Sequence, residues 1–183
     1  MNLDKVQDQI TKVLVTEEQI KAKVAELAAA IDEKYAGKEV MLVGVLKGAV
    51  MFMADLSRAL QIPVTMEWMA LSSYGSGTVS SGVVRILKDL DTEVHGKHIV
   101  IVEDIIDSGL TLSWLASNLE ARGAASVEVC ALLRKPAAAK VQVAVTLVGF
   151  DIPNEFVVGY GLDYNEQYRT LTSVAVLAPS VYQ

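Results

Sequence analysis

Three carboxylates crowd into the stretch "HIVIVEDIIDSGLTLSWL", residues 98–115. Glu103 and Asp104 directly follow the apolar run Ile99–Val102, and Asp107 stands one residue before Ser108 and Gly109. Ser108 and Thr111 can supply hydroxyls, Gly109 lets backbone approach a ligand closely, and a helix beginning near Leu110 supplies amides without intrahelical partners. Together these suit a phosphate. A phosphate so close to three carboxylates would be repelled unless the carboxylates face sugar hydroxyls, a magnesium ion, or a base that carries a proton. A phosphorylated sugar with a metal meets all three demands. An aspartate that merely caps a helix would account for "DSG" alone, but leaves the acidic pair before it unexplained. The chain has neither a GxxxxGK[ST] nor a GxGxxG pattern, so ATPase and dinucleotide-binding readings lack their signatures.

The elements that position this stretch follow from its periodicity. "VTEEQIKAKVAELAAAIDEKYAGKEV" offers Thr16 as N-cap with Gln19 three residues on, then Ile20, Val24, Leu27 and Ile31 at helical spacing, and Gly37 as a stop. "EVMLVGVLKGAVMFMADLSRALQIPV" gives a buried strand, a turn at Leu46 to Ala49, a helix, and Pro63 opening the strand "VTMEWMAL". After the Gly/Ser-rich "SSYGSGTVSSG" and the strand "VVRIL", the pattern repeats: strand "HIVIVEDI", turn, helix closed by Gly123, strand "SVEVCALLRK". The final third holds short strands in "VTLVGF", "FVVGY" and "SVAVLA", with the polar, aromatic loop "DYNEQYR" between the last two. Repeated strand-helix-strand units with unalternated apolar strands predict an α/β fold with a mainly parallel central sheet flanked by helices. In such sheets ligands sit beyond the carboxyl ends of the strands, where "DSGLT" lies.

Bulk properties narrow the partners. The 183 residues, 52% hydrophobic, suffice for one compact domain. A net charge of -6 without a dense Lys/Arg cluster argues against a nucleic-acid binder. One cysteine, Cys130 in "VEVCALL", excludes a disulfide framework and fits a small buried hydrophobe. No apolar run reaches the roughly 18 residues of a membrane span, and we expect a cytoplasmic location. His95 and His98 in "HGKH" lack acidic or cysteine neighbours and are expected to be loop residues rather than metal ligands.

"VIVEDIIDSGLTL" resembles the phosphoribosyl pyrophosphate motif of the type I phosphoribosyltransferases. From about Val40 to Val176 the chain is similar to the hypoxanthine-guanine phosphoribosyltransferase family, through "GVLKGAVMFMADL", "SSYGSGTVSSGVVRI", "ALLRKP" and "VGFDIPNEFVVGYGLDYNEQYR" in the same order. The resemblance implies a purine-salvage glycosyltransferase with Mg2+ as cofactor. It would transfer ribose 5-phosphate from phosphoribosyl pyrophosphate to N9 of hypoxanthine or guanine. It further implies the type I phosphoribosyltransferase fold in a single domain, 1–183, whose small hood comes from the N-terminal segment and about 135–183, and a homodimer or homotetramer.

By the same resemblance, Lys47 and Gly48 form a pyrophosphate loop, with a cis peptide at Lys47. Glu103 and Asp104 face the ribose hydroxyls and the metal, pointing to opposite sides of their strand. Asp107 is the general acid/base at purine N7, and Ser108, Gly109, Leu110 and Thr111 form the 5'-phosphate cradle. Leu110 stands where some relatives carry a basic residue, so the cradle must rely on amides and hydroxyls. Lys135 donates to the purine O6, Phe156 stacks on the base, and backbone at Val157 meets its edge. Asp163 matches a metal-associated carboxylate beside the purine, and Arg169 a pyrophosphate-binding guanidinium. Ser73 and Tyr74 belong to a loop that closes over the site and excludes water. Two alternatives stay open: a regulatory protein that keeps the sugar-phosphate site as a sensor, and a transferase preferring xanthine, since selection at purine C2 rests largely on backbone carbonyls.

Overall fold

The computed structural model describes residues 3–73, 84–141 and 145–182. Its larger sheet follows the expected plan. Strand β2 (Val40–Leu46), helix α2 (Val50–Ala59) and strand β3 (Val64–Ser73) make the first unit, and β4 (Val84–Lys88) returns antiparallel beside β3. Strand β5 (His98–Ile106), helix α3 (Leu110–Ala121) and strand β6 (Ser126–Arg134) make the second, with β7 (Leu147–Asp151) at the far edge. The order is β4-β3-β2-β5-β6-β7, parallel throughout except for β4.

Alternation along the central strands sorts side chains into two cores, as a sheet buried on both faces requires. Leu42, Val100, Val102 and Leu132 pack under α2 and helix α1 (Glu17–Lys34). Met41, Val43, Ile99, Ile101 and Ala131 pack under Leu112, Leu115 and Leu119 of α3. Helix α1 forms where its cap predicts: the Gln19 amide donates to Thr16 Oγ1 and the Thr16 amide donates to Gln19 Oε1, while Ile20, Val24, Leu27 and Ile31 are buried.

A second sheet, unlike the first, is built from the two ends of the chain. Strand β1 (Ile10–Val15) pairs antiparallel with β9 (Val174–Leu177), and β9 pairs with the two-residue β8 (Val157–Val158). One face joins the main core through Val15, Val157, Val174 and Val176; the other packs Val158 and Leu177 against Val6, Tyr168 and Leu171. His98 departs from the expected loop position. It opens β5, half-buried, with Nδ1 2.8 Å from Ser126 Oγ, because the backbone of "HIVIV" is already in register with β2 and β6. Among the described residues no helix is long and apolar enough to cross a membrane.

Candidate active site

The candidate site residues of the second unit, Glu103 to Thr111 and Lys135, collect where β5 and β6 end. Gly109 caps α3 at φ 77°, a left-handed conformation that glycine adopts without strain. This turn leaves the first-turn amides of α3 without intrahelical acceptors beside the Ser108 and Thr111 hydroxyls. A cavity of about 130 Å³ lies here, lined by Glu103, Ile105, Asp107, Ser108, Gly109 and Thr111. Leu110 begins the helix, so the cradle contains no cation of its own. The Lys140 amide donates to the Ser108 carbonyl at 3.0 Å and fixes the turn from outside.

Glu103 and Asp104 point to opposite sides, as adjacent strand residues must. Glu103 lines the cradle cavity. Asp104 faces the turn after β2, so closely that a Cβ on Gly48 would lie 1.8 Å from its Oδ2. Burial, reinforced by the charge of Asp104, pushes the Glu103 carboxyl well above the usual range. Burial also raises Asp104, to about 6, against the Ile105 amide that donates to its Oδ1 at 2.8 Å.

The Gly48 turn is backed by a third segment. Gly161, at φ 101°, sits so near it that a Cβ there would lie 2.0 Å from the Gly48 carbonyl oxygen. Gly161→Ala is therefore expected to destabilise the fold by about 1–3 kcal/mol, the usual cost of overpacking, with left-handed backbone strain added. Thermal unfolding of the variant would measure it, and an unchanged Tm would contradict the packing. The peptide between Leu46 and Lys47 is cis. Lys47 Nζ lies 3.0 Å from Glu166 Oε2, and Arg169 Nη2 lies 2.9 Å from Asp163 Oδ1 and 3.3 Å from Glu166 Oε2. The Glu166 carboxylate thus bridges Lys47 and Arg169. Arg169 also donates to the Gly161 carbonyl at 2.8 Å.

Lys135 is 8% exposed, and its Nζ approaches Asp107 Oδ2 at 3.7 Å, while its amide donates to the Ile106 carbonyl at 2.9 Å. An ammonium at a strand end ordinarily reaches water; this one is buried, beside the exposed carboxylate of Asp107. Phe156 precedes β8 and is 38% exposed, whereas Val157 is buried.

The structure therefore unites Asp107 with Lys135, Asp104 with Gly48, and Lys47 with Arg169 and Asp163. Ser73 ends β3, separated from β5 by β2. Tyr74 lies outside the described residues. Sequence reasoning missed Glu166 and Gly161. Three-residue spacing of Asp163, Glu166 and Arg169 was the available signal for Glu166, and a glycine between two large apolar residues in "YGL" was the signal for Gly161.

A mainly parallel α/β sheet with a strand-end turn of hydroxyls and free amides and an adjoining acidic pair defines a class. Residues 11–165 match the family model described as phosphoribosyl transferase domain. The chain is 56% identical over 180 residues to the hypoxanthine-guanine phosphoribosyltransferase of Mycobacterium tuberculosis, covering 95% of this chain and 89% of that one. It is 51% identical to the Bacillus subtilis enzyme of the same name over 174 residues, covering 95% of this chain and 97% of the relative. A crystal structure of a hypoxanthine phosphoribosyltransferase from Staphylococcus aureus superposes with a TM-score of 0.95 at 41% identity, over 98% of this chain and 97% of that one. The chain belongs to the hypoxanthine-guanine phosphoribosyltransferase family.

Proposed function

We propose that the chain salvages 6-oxopurines, transferring the 5-phosphoribosyl group of phosphoribosyl pyrophosphate to N9 of hypoxanthine or guanine. The observation that carries this reading is the Asp107–Lys135 pair: Asp107 lines the Ser108–Thr111 cavity, and Lys135 lines a second cavity of about 400 Å³ that shares Ile106 with it. A carboxylate that can hold a proton and a buried ammonium that can only donate match, respectively, the purine imidazole nitrogen and an oxo group. An exocyclic amino group, as in adenine, would leave the ammonium without an acceptor.

In the reaction the C1'–O bond to pyrophosphate breaks, the N9–C1' bond forms, and the proton lost from the imidazole ring passes at N7 to Asp107. Positive charge grows on the ribose and negative charge on the departing pyrophosphate, so groups that favour the leaving group matter most. Lys47 and Arg169 are the cations for it, assisted by the backbone at Gly48. The cradle of Ser108, Gly109, Leu110 and Thr111 holds the 5'-phosphate, and Glu103, on the same side, takes ribose hydroxyls.

The acidic pair also fits a magnesium ion. Glu103 and Asp104 are partly buried, and desolvation raises both carboxyls, so a cation would be favoured beside them. Mg2+ commonly takes one or two carboxylates and completes its shell with water and substrate phosphates. Asp104, with Asp163 nearby, would hold it on the pyrophosphate side, while Glu103, on the opposite side of the strand, would meet it only through the ribose hydroxyls. Bound there, the ion would supply positive charge to the leaving group.

In the same reading, the sheet β1-β9-β8 serves as the hood that carries Phe156 over the base and backbone at Val157 to its edge. Ser73 and Tyr74 belong to the closing loop. The enzyme works in the cytoplasm as a homodimer or homotetramer. The deciding experiment incubates the protein with phosphoribosyl pyrophosphate, Mg2+ and each of hypoxanthine, guanine, xanthine and adenine, measuring nucleotide formation. Product with the first two and none with adenine is expected. No product from any base would overturn the reading.

A further inference from the structure

Phe156 is a large apolar side chain left 38% exposed, held at the backbone by the Leu177 amide donating to its carbonyl at 2.9 Å. Its ring is held by two tyrosines. Tyr182 stacks on one face with centroids 4.8 Å apart and planes inclined by 25°. Tyr164 meets its edge at 5.8 Å and 88°, and meets Tyr182 at 6.3 Å and 63°. With Tyr182 over one face and Tyr164 at the edge, the opposite face carries no ring contact among the described residues.

Tyr182 is well placed to act as a fixed backing. It ends the terminal turn Pro179–Tyr182, in which the Val181 amide donates to the Ala178 carbonyl at 2.9 Å. The Ala178 amide in turn donates to the Gln9 carbonyl at 2.8 Å, tying this turn to the 3-10 turn Gln7–Gln9 that leads into β1. Val181, Tyr182 and Tyr164 pack against the cluster of Val158, Leu177 and Tyr168, on the side of the small sheet that faces away from the main core. Val157, next to Phe156, points into the main core instead. The tyrosine pair therefore supports Phe156 from the side of that cluster.

We propose that Tyr182 is a positioning residue for the purine: it holds the Phe156 ring in place so that the base completes a three-ring stack on the open face, with Tyr164 bracing the edge. This rests on the assignment of Phe156 as the purine platform. An exposed phenylalanine without backing would populate several ring orientations, and ordering it would be charged against base binding. Backing by Tyr182 removes that cost before the base arrives. Ring contact, rather than the phenol oxygen, carries the effect.

The test measures steady-state kinetics of the full chain and of Tyr182→Leu, Tyr182→Phe, Phe156→Leu and the double leucine variant, varying hypoxanthine and phosphoribosyl pyrophosphate in turn. Tyr182→Leu is expected to raise KM for hypoxanthine roughly two- to tenfold, the range that aromatic pairs contribute, with kcat and KM for phosphoribosyl pyrophosphate unchanged. Tyr182→Phe should match the parent protein, and the double variant should be no worse than Phe156→Leu alone. If Phe156→Leu leaves KM for hypoxanthine unchanged, the platform assignment fails and the backing role falls with it. If Phe156→Leu raises that KM while Tyr182→Leu does not, the platform stands and the backing role is overturned. A Tyr182→Leu variant that loses kcat or affinity for both substrates alike also overturns it.

Discussion

Replacing Asp107 by asparagine is expected to lower kcat by about a hundred- to ten-thousandfold, the range for losing one positioned acid or base, while leaving phosphoribosyl pyrophosphate binding nearly intact. Asparagine keeps the shape of the side chain but removes its charge and its ability to take and return a proton. The Ser108–Thr111 cradle is formed by hydroxyls and first-turn amides of α3, none of which depends on the Asp107 charge. Lys135 provides the internal control. Its Nζ lies 3.7 Å from Asp107 Oδ2, so the substitution removes the anion nearest a buried ammonium, and KM for the base should rise as well. Pre-steady-state turnover, with calorimetric titration of phosphoribosyl pyrophosphate, separates the two effects. An unchanged kcat would remove Asp107 from the chemical step.

The second large effect concerns Asp104 and has opposite signs for activity and stability. Asp104→Asn should abolish most turnover, by more than about a hundredfold, since even residues that only support a metal ligand cost about 10- to 100-fold when lost. Yet the metal-free variant should melt higher than the parent protein. Burial holds the Asp104 carboxyl at about 6 against an ordinary value of 3.8. Between those values the folded chain keeps a proton that the unfolded chain has released. Stability therefore falls as pH rises from about 4 to about 6 and stays at the lower level above it. Asparagine carries no charge at any pH, still accepts the Ile105 amide, and fits beside Gly48. Its Tm advantage in chelator should be absent near pH 4 and fully developed at pH 7, at about 2–4 °C per kcal/mol for a chain of this size. Parallel melting curves at the two pH values check this. An equal or lower Tm at pH 7 would show that the carboxylate is stabilised in the fold.

How much of this was legible beforehand depended on whether the physical cause was local. Thr16 and Gln19 are three residues apart, and their reciprocal hydrogen bonds follow from the sequence alone. The order strand, acidic pair, turn, helix in residues 98–121 likewise declares itself, because apolar continuity, Gly109 and the helical pattern all act within a few residues. Strand β1 was not foreseen, since "ITKVLV" becomes a strand by pairing with β9, more than 150 residues away. Burial of Lys135 and the bridge formed by Glu166 escaped for a similar reason. Each depends on which distant segment arrives opposite it, and Glu166 meets Lys47 across 119 residues. The aromatic group of Phe156, Tyr164 and Tyr182 gave no periodic signal, because its members come from three separate loops and ends.

The opposed directions of Glu103 and Asp104 also turn the strand before them into a ruler. Ile99 to Val102 can exchange one branched apolar residue for another with modest loss, since both faces of β5 are packed. Adding or deleting one residue there is a different matter. The pleat has a period of two, so a single-residue change in length turns every later side chain to the other face. Glu103 would then press on Gly48 and Asp104 would enter the cradle, with hydrophobicity and strand propensity unaltered. For this strand the quantity under constraint is parity: its sequence is free to drift, while the number of residues between β5's start and its carboxylates is not.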